Sequence, residues 1–347
     1  MDPRILIVKL SSMGDIIHAL PVPTSLRATF PKARLAWVVE KRWESLIANH
    51  PDLDEVLTVD SFRTRKRWHT LPELYRELRQ VRRFRADWAL DVQGTLKSAA
   101  VTLVSGAPHR VGFSARVIRE SGGSLAYHHR IDPRSFHIVD QMLDVAEAIA
   151  PLQRRHEFAF PISDAVHAEI AAWLDSLQIK NFVFLSPGGG WAAKRWPSHR
   201  YAQLAQRLEQ ELGFVAILNR GPGETALETA FQQANAIRAR LFSGDVPHLA
   251  ALLSRARLVV GGDTGPLHLA AVMGRPVVAL YGPTDPIRNG PYSAISKVLR
   301  RHGETTYRRS NRHSSSMLAL TVDEVLQACR DLLRSLPLDL KQGAGPA

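Results

Sequence analysis

Twice along this 347-residue chain, short apolar, β-branched runs alternate with longer segments of mixed polarity, separated by turns rich in glycine and aspartate. That rhythm constrains the fold more than any other feature, because strands separated by helices pair in parallel through right-handed crossovers. In the first half, predicted strands cover residues 5–9, 36–39, 56–59, 88–92 and 110–113. In the second half they cover 182–186, 215–219, 241–243, 258–262 and 277–281, with helical patterns at 201–212, 224–236, 248–256 and 267–273. A helix at 165–177 is expected near the junction. Pro21 and Pro23 each remove an amide donor and should interrupt the first helix. Thr321 and Glu324 form a capping box before the last helix, which ends near Leu336 and is free to pack back on the first half. The expected class is α/β: two Rossmann-like, doubly wound domains, 1–160 and 161–336, facing a central cleft. The tail, 337–347, is rich in Gly, Pro and Ala and is expected to be disordered.

Composition removes several classes. Hydrophobic residues make up 45% and charged residues 22%, which excludes a disordered chain, a coiled coil and a collagen-like fibre. No stretch approaches the roughly 18 apolar residues of a membrane span. Only Ile5 to Val8 precede Lys9 as an apolar run, too short for a secretory signal, so a cytosolic chain is expected. The single cysteine, Cys329, excludes an intramolecular disulfide and a cysteine-cluster zinc site. The formal net charge of +12 favours a polyanionic partner: nucleic acid, anionic membrane or phosphorylated substrate. Residues 63–85, which include Arg63, Arg65, Lys66 and Arg67, concentrate that charge. They form either a solvated helix face or a docking surface for a phosphorylated or membrane-embedded partner. No nucleic-acid-binding motif accompanies them, so nucleic acid is not expected.

In doubly wound sheets, ligands bind at the carboxyl ends of strands. Four such loops carry chemistry. Lys9-Leu10-Ser11-Ser12-Met13-Gly14-Asp15 follows the first strand and opens a helix. Ser11, Ser12 and Gly14 admit a ligand to the backbone, and the helix start favours an anion. Asp15 either caps that helix or serves as a general base. Ser186-Pro187-Gly188-Gly189-Gly190 leads to Lys194 and Arg195, within reach of a phosphate; it is neither a P-loop nor a dinucleotide fingerprint. In Asn219-Arg220-Gly221-Pro222-Gly223-Glu224, Glu224 either complements a helix dipole or accepts bonds from ribose hydroxyls. Asp263-Thr264-Gly265-Pro266-Leu267-His268 delivers a carboxylate from a buried strand to a helix start. It offers a pyrophosphate seat beside a carboxylate suited to sugar hydroxyls. Asp52-Leu53-Asp54 precedes a strand and reads as a polar turn, and no spacing suggests a metal site.

Taken together and in this order, these loops resemble the heptosyltransferases of glycosyltransferase family 9, which build the lipopolysaccharide core. Asp91-Val92-Gln93-Gly94 with Lys97-Ser98, Lys194-Arg195-Trp196-Pro197 and Tyr281-Gly282-Pro283-Thr284-Asp285-Pro286 complete the match, over about residues 4–335. The Ser-Ser-Met-Gly-Asp opening, with His18 and Pro21 behind it, is most similar to the members that add the first heptose. The resemblance implies a GT-B fold with an N-terminal acceptor domain and a C-terminal donor domain. It implies ADP-L-glycero-D-manno-heptose as donor and the Kdo of a lipid A precursor as acceptor. It also implies inversion at the anomeric carbon with neither metal nor cofactor. The family's base falls on Asp15, its phosphate lysine on Lys194 and its ribose contact on Glu224. Its donor loop falls on Asp263, Thr264, Gly265 and His268, with Ser11, Ser12, Gly14 and Ser186 also on the donor. Arg63, Arg65, Lys66, Arg67, Gln93, Lys97 and Arg119 are the expected contacts to a phosphorylated glycolipid. The expected location is the cytoplasm, peripheral on the anionic inner leaflet. Alternatives are another nucleotide sugar or acceptor in cell-envelope glycan synthesis, and an epimerase acting on the nucleotide sugar alone.

Overall fold

The computed structural model describes residues 2–60, 71–220, 229, 238–301, 303, 305–306 and 313–336. The chain divides into two compact units, Met1–Pro161 and Ile162–Ala347. Each is built on one six-stranded, all-parallel sheet.

In the first unit the elements run β1 (Arg4–Val8), α1 (Met13–Ala19), α2 (Pro21–Thr29), β2 (Arg34–Glu40), β3 (Glu55–Val59), α3 (Leu71–Arg83), β4 (Trp88–Asp91), α4 (Leu96–Ser105), β5 (His109–Phe113), β6 (His129–Ile131) and α5 (Ile138–Ala146). The sheet order is β3-β2-β1-β4-β5-β6. β1 and β2 are buried on both faces, which is why they read as unbroken apolar runs. Leu6, Val8, Ala36, Val38 and Ala89 form a core with Val81, Phe84 and Val101 from the α3 and α4 side. The prolines break the first helix as expected: α1 ends at Ala19 and α2 starts at Pro21. The Asp52–Asp54 turn is structural, since Asp54 accepts from the Leu35 amide and pairs with Arg27.

The second unit runs α6 (Asp164–Ser176), β7 (Phe182–Ser186), α7 (Ser198–Leu212), β8 (Val215–Asn219), β9 (Arg240–Phe242), α8 (Val246–Arg255), β10 (Leu258–Gly262), α9 (Gly265–Val272), β11 (Val277–Tyr281), α10 (Pro286–Asn289), β12 (Ser296–Arg300), α11 (Ser315–Leu318) and α12 (Val322–Ser335). Its order is β12-β11-β10-β7-β8-β9. The expected helix at 224–236 and the tail at 337–347 lie outside the described residues. The buried face of α12, Val325, Leu326, Ala328, Cys329 and Leu332, lies in the second unit's core. Two strands escaped the sequence reading, β6 and β12. Both are edge strands, so half of their backbone and most of their side chains need no apolar partner: β6 reads His-Arg-Ile and β12 Ser-Lys-Val-Leu-Arg.

Gly112 on β5 serves the first unit by having no side chain. A β carbon there would stand 2.4 Å from the Tyr127 ring, which lies across the strand. The ring is pinned, because its hydroxyl donates to Asp91 Oδ2 at 2.7 Å. Gly112→Ala is therefore expected to destabilise the chain by about 1–3 kcal/mol, read as a fall in the urea midpoint at unchanged slope. An unchanged midpoint would show that Tyr127 yields without cost.

Candidate active site

In the first unit the strand order reverses between β1 and β4, so the loops leaving these two strands meet at a switch point. After β1, Ser11 and Ser12, joined by a cis peptide bond, lead into α1. Asp15 is the third residue of that helix. Its Oδ2 accepts from the Ser12 amide at 3.0 Å and from the Ser12 hydroxyl at 2.6 Å. Its Oδ1 accepts from none of the described residues. Burial works to raise its pKa. The Lys9 ammonium, the Ser12 bonds and the Arg119 guanidinium outweigh burial and hold the carboxyl below its ordinary value. One oxygen is thus spent on the cap and the other is open, so the two readings of Asp15 are compatible in one side chain.

Gln93, on the loop after β4, fastens the two loops together. Its Oε1 accepts from the amides of Leu10 at 2.6 Å and Ser11 at 3.2 Å, and its Nε2 donates to Thr95 Oγ1 at 3.0 Å. Asp91, fully buried at the end of β4, accepts from the amides of Gln93 and Gly94 and from Tyr127. Burial pushes its pKa up, against those hydrogen bonds. Lys9 is buried and its Nζ donates to the Val92 carbonyl at 3.0 Å. Lys9 and Asp91 stood in the motifs quoted from the sequence without a role of their own, and Tyr127 was missed. The available signal was a charged residue at the end of each of two apolar strands, Lys9 after β1 and Asp91 at the tip of β4.

Lys97 and Arg119 are exposed at this end of the sheet, Arg119 near enough to act on Asp15. Gln93 is placed differently from a simple substrate contact, since its carbonyl is occupied by loop amides. Arg110, another basic residue of the region, is spent on the carbonyls of Ala107 and Ala126 and on His128. His18 is buried, with its ring edge-on to His137 at 5.7 Å. Arg63, Arg65, Lys66 and Arg67 lie outside the described residues.

In the second unit the order reverses between β7 and β10. Lys194 comes from the loop after β7, Asp263 from the end of β10. Their Nζ and Oδ2 atoms stand 2.5 Å apart, and His268 Nε2 lies 2.9 Å from Asp263 Oδ1. All three side chains are largely shielded from solvent. Burial would raise the Asp263 pKa; His268 and Lys194 reverse this and hold the carboxyl far below its usual range. Both oxygens of Asp263 are thus engaged, so it sets the lysine and the histidine in place. Lys194 Nζ also lies 4.6 Å over the Trp191 ring. Gly262 permits this geometry, because a β carbon there would meet the Lys194 carbonyl at 2.7 Å.

Thr264 caps α9 with extended backbone and Gly265 is its first residue, so the positive end of the helix dipole lies at this loop. Ser186, at the tip of β7, is buried with its hydroxyl 3.3 Å from that of Thr264. Arg195 braces the glycine loop through the Gly189 carbonyl at 2.7 Å. Trp196 is a loop anchor: it is buried, and its Nε1 donates to the Leu320 carbonyl at 2.9 Å. Glu224 lies outside the described residues. Among the described residues, no group of three or more His, Cys, Asp or Glu is placed to hold a metal ion, and no helix is long and apolar enough to cross a membrane.

The second unit thus presents a cation, a hydroxyl pair and a helix start at one switch point, suited to a diphosphate. The first presents an ionised carboxylate with one open oxygen. Residues 74–318 match the sequence profile of glycosyltransferase family 9 (heptosyltransferase). The chain is 30% identical over 310 residues to lipopolysaccharide heptosyltransferase 1 of Escherichia coli strain RS218, covering 86% of this chain and 92% of that one. It is 32% identical over 308 residues to the Pseudomonas aeruginosa protein of the same name, covering 83% and 81%. Among solved structures, Escherichia coli heptosyltransferase WaaC with ADP superposes with a TM-score of 0.72 at 26% identity, covering 95% of this chain and 99% of that one.

Proposed function

The chain belongs to glycosyltransferase family 9, and from that membership we propose that it adds the first heptose to the lipopolysaccharide inner core. The donor is ADP-L-glycero-D-manno-heptose and the acceptor hydroxyl belongs to the Kdo of a phosphorylated lipid A precursor. The reaction is a single displacement with inversion. Asp15 Oδ1 takes the proton from the attacking hydroxyl while Oδ2 stays bound to Ser12, which keeps the carboxylate aimed. Lys194 and the α9 start neutralise the charge that develops on the departing diphosphate, the work a metal does in other transferases. Glu224 contacts the ribose, and Ser11, Ser12, Gly14, Ser186, Thr264, Gly265 and His268 shape the donor seat. Arg119 and Lys97, with Arg63, Arg65, Lys66 and Arg67, meet the acceptor's anionic groups at the inner leaflet of the cytoplasmic membrane.

The observation that carries this reading is the half-committed carboxylate of Asp15, anchored through one oxygen and open at the other. Mass-shift detection of heptose transfer to Kdo-lipid A tests it, with ADP-heptose run beside GDP- and UDP-sugars. Transfer from ADP-heptose alone is expected. Transfer only from another nucleotide sugar would keep the reaction class and replace the donor. Binding of ADP without any transfer would overturn the acceptor.

A further inference from the structure

Helix α4 is built inside out. Its inward face carries Ser98, Thr102 and Ser105 beside Ala99 and Val101, all buried. The hydroxyls are satisfied within the helix, Thr102 on the Ser98 carbonyl at 2.9 Å and Ser105 on the Thr102 carbonyl at 2.6 Å. The outward face carries Leu96, Ala100 and Leu103, spaced as one helical stripe, with Leu96 57% and Leu103 50% exposed. Water selects the opposite arrangement on a surface helix. The stripe is widened by the 3-10 turn Ser121–Ala126, which packs along α4. A β carbon on Gly122 would stand 3.3 Å from Leu96 Cδ2. Residues three apart in such a turn eclipse, so Leu125, 77% exposed, lies on the same side.

Cations lie on α4 and on the helix packed against it. Lys97 is exposed on α4 itself. Arg76, Arg79 and Arg82 are exposed on α3, which packs against α4, and the Arg82 guanidinium lies at Gly106, the cap of α4. Of the nearby acids, Glu120 accepts from the Leu96 amide and Glu77 from the Asp60 amide. A second copy docking through this face would set arginine against arginine. An anionic bilayer would meet the cations with phosphates and take the leucines below the headgroups.

We propose that α4 and the Ser121–Ala126 turn form an interfacial docking surface for an anionic bilayer. The inference rests on the acceptor being a membrane glycolipid, and it names the surface that brings the enzyme to it. α4 opens directly after the Gln93 loop, so docking here holds the Asp15 loop beside the interface.

The only native cysteine, Cys329, is buried, so Leu125→Cys can be labelled selectively with the fluorophore NBD. With phosphatidylglycerol-containing vesicles in about 0.15 M salt, its emission is expected to rise several-fold and shift to the blue. The same label on Val298→Cys, on β12, is expected not to respond. Co-sedimentation of the Leu96→Ser/Leu103→Ser variant with these vesicles is expected to fall roughly tenfold, at unchanged melting temperature and unchanged ADP binding. Its transfer to a deacylated, water-soluble Kdo acceptor is expected to match that of the parent. An unresponsive label at 125, an equal response to phosphatidylcholine vesicles, or undiminished sedimentation of the double variant would each overturn the proposal. A parent chain that binds the vesicles yet transfers no heptose would instead remove the functional reading and leave the docking surface standing.

Discussion

Asp15→Asn is expected to lower the turnover number for heptose transfer by about 10²–10⁴-fold, with little change in the donor's KM. The substitution separates the two tasks of this side chain. Asn keeps an oxygen that can accept the Ser12 amide and hydroxyl, so the helix start survives and stability should change by less than about 1 kcal/mol. What is lost is the basic oxygen that faces away from Ser12. Single-turnover mass spectrometry measures the effect, and a variant retaining a tenth or more of parental activity would reduce Asp15 to a cap. The pH profile supplies a second check. Because Lys9, Ser12 and Arg119 hold this carboxyl below its ordinary value, it keeps its charge to lower pH than an unperturbed aspartate does. Activity should therefore show no loss from Asp15 between about pH 8 and pH 5. Arg119→Ala removes one of the lowering charges and should move the acid limb toward higher pH.

Lys194→Ala is expected to cost about 10²–10³-fold in kcat/KM, the scale of removing one charge-stabilising group at a leaving oxyanion. It carries a structural penalty that Asp15→Asn does not. The Lys194–Asp263 pair is shielded, and deleting one partner leaves Asp263 with His268 alone. Breaking a buried pair in this way costs up to about 3–5 kcal/mol, less where the carboxylate keeps a second partner. The direction of the pH dependence follows from the depressed pKa of Asp263. A carboxyl held below its unfolded value stabilises the fold above that value and loses the contribution as pH falls through the folded one. Without Lys194 the depression shrinks, so acid unfolding should begin at higher pH. Acid titration followed by circular dichroism reads this. Lys194→Arg should restore the acid stability while recovering activity only in part, since a fork of donors replaces a point charge. An unchanged acid midpoint in Lys194→Ala would show that His268 alone sets the Asp263 carboxyl.

What was legible in the sequence was whatever sits on doubly buried strands and in their exits. β1, β7, β10 and β11 are apolar runs with no exposed side chain to break the pattern, and the first three end in loops that carry the chemistry. The Ser12–Asp15 and Asp263–His268 pairings are local, three and five residues apart, and so were visible as motifs. The Lys194–Asp263 pair and the Gln93 brace join residues 69 and 83 positions apart, and only the strand order brings them together. β6 and β12 were lost because edge strands lack the pattern that buried strands carry. α4 was lost for the opposite reason. Its composition is ordinary for a helix, and only its orientation shows that the leucines face out.

The position of β1 in the middle of its sheet also bears on synthesis at the ribosome. Ile5 pairs on one side with Leu35, which is made soon after it, and on the other with Trp88. Until β4 has left the exit tunnel, the nascent chain carries an apolar strand with one edge unpaired. The second unit repeats the delay, with β7 waiting for β10. Chaperone demand during translation should therefore come in two waves, each ending when the strand that closes a sheet's centre emerges.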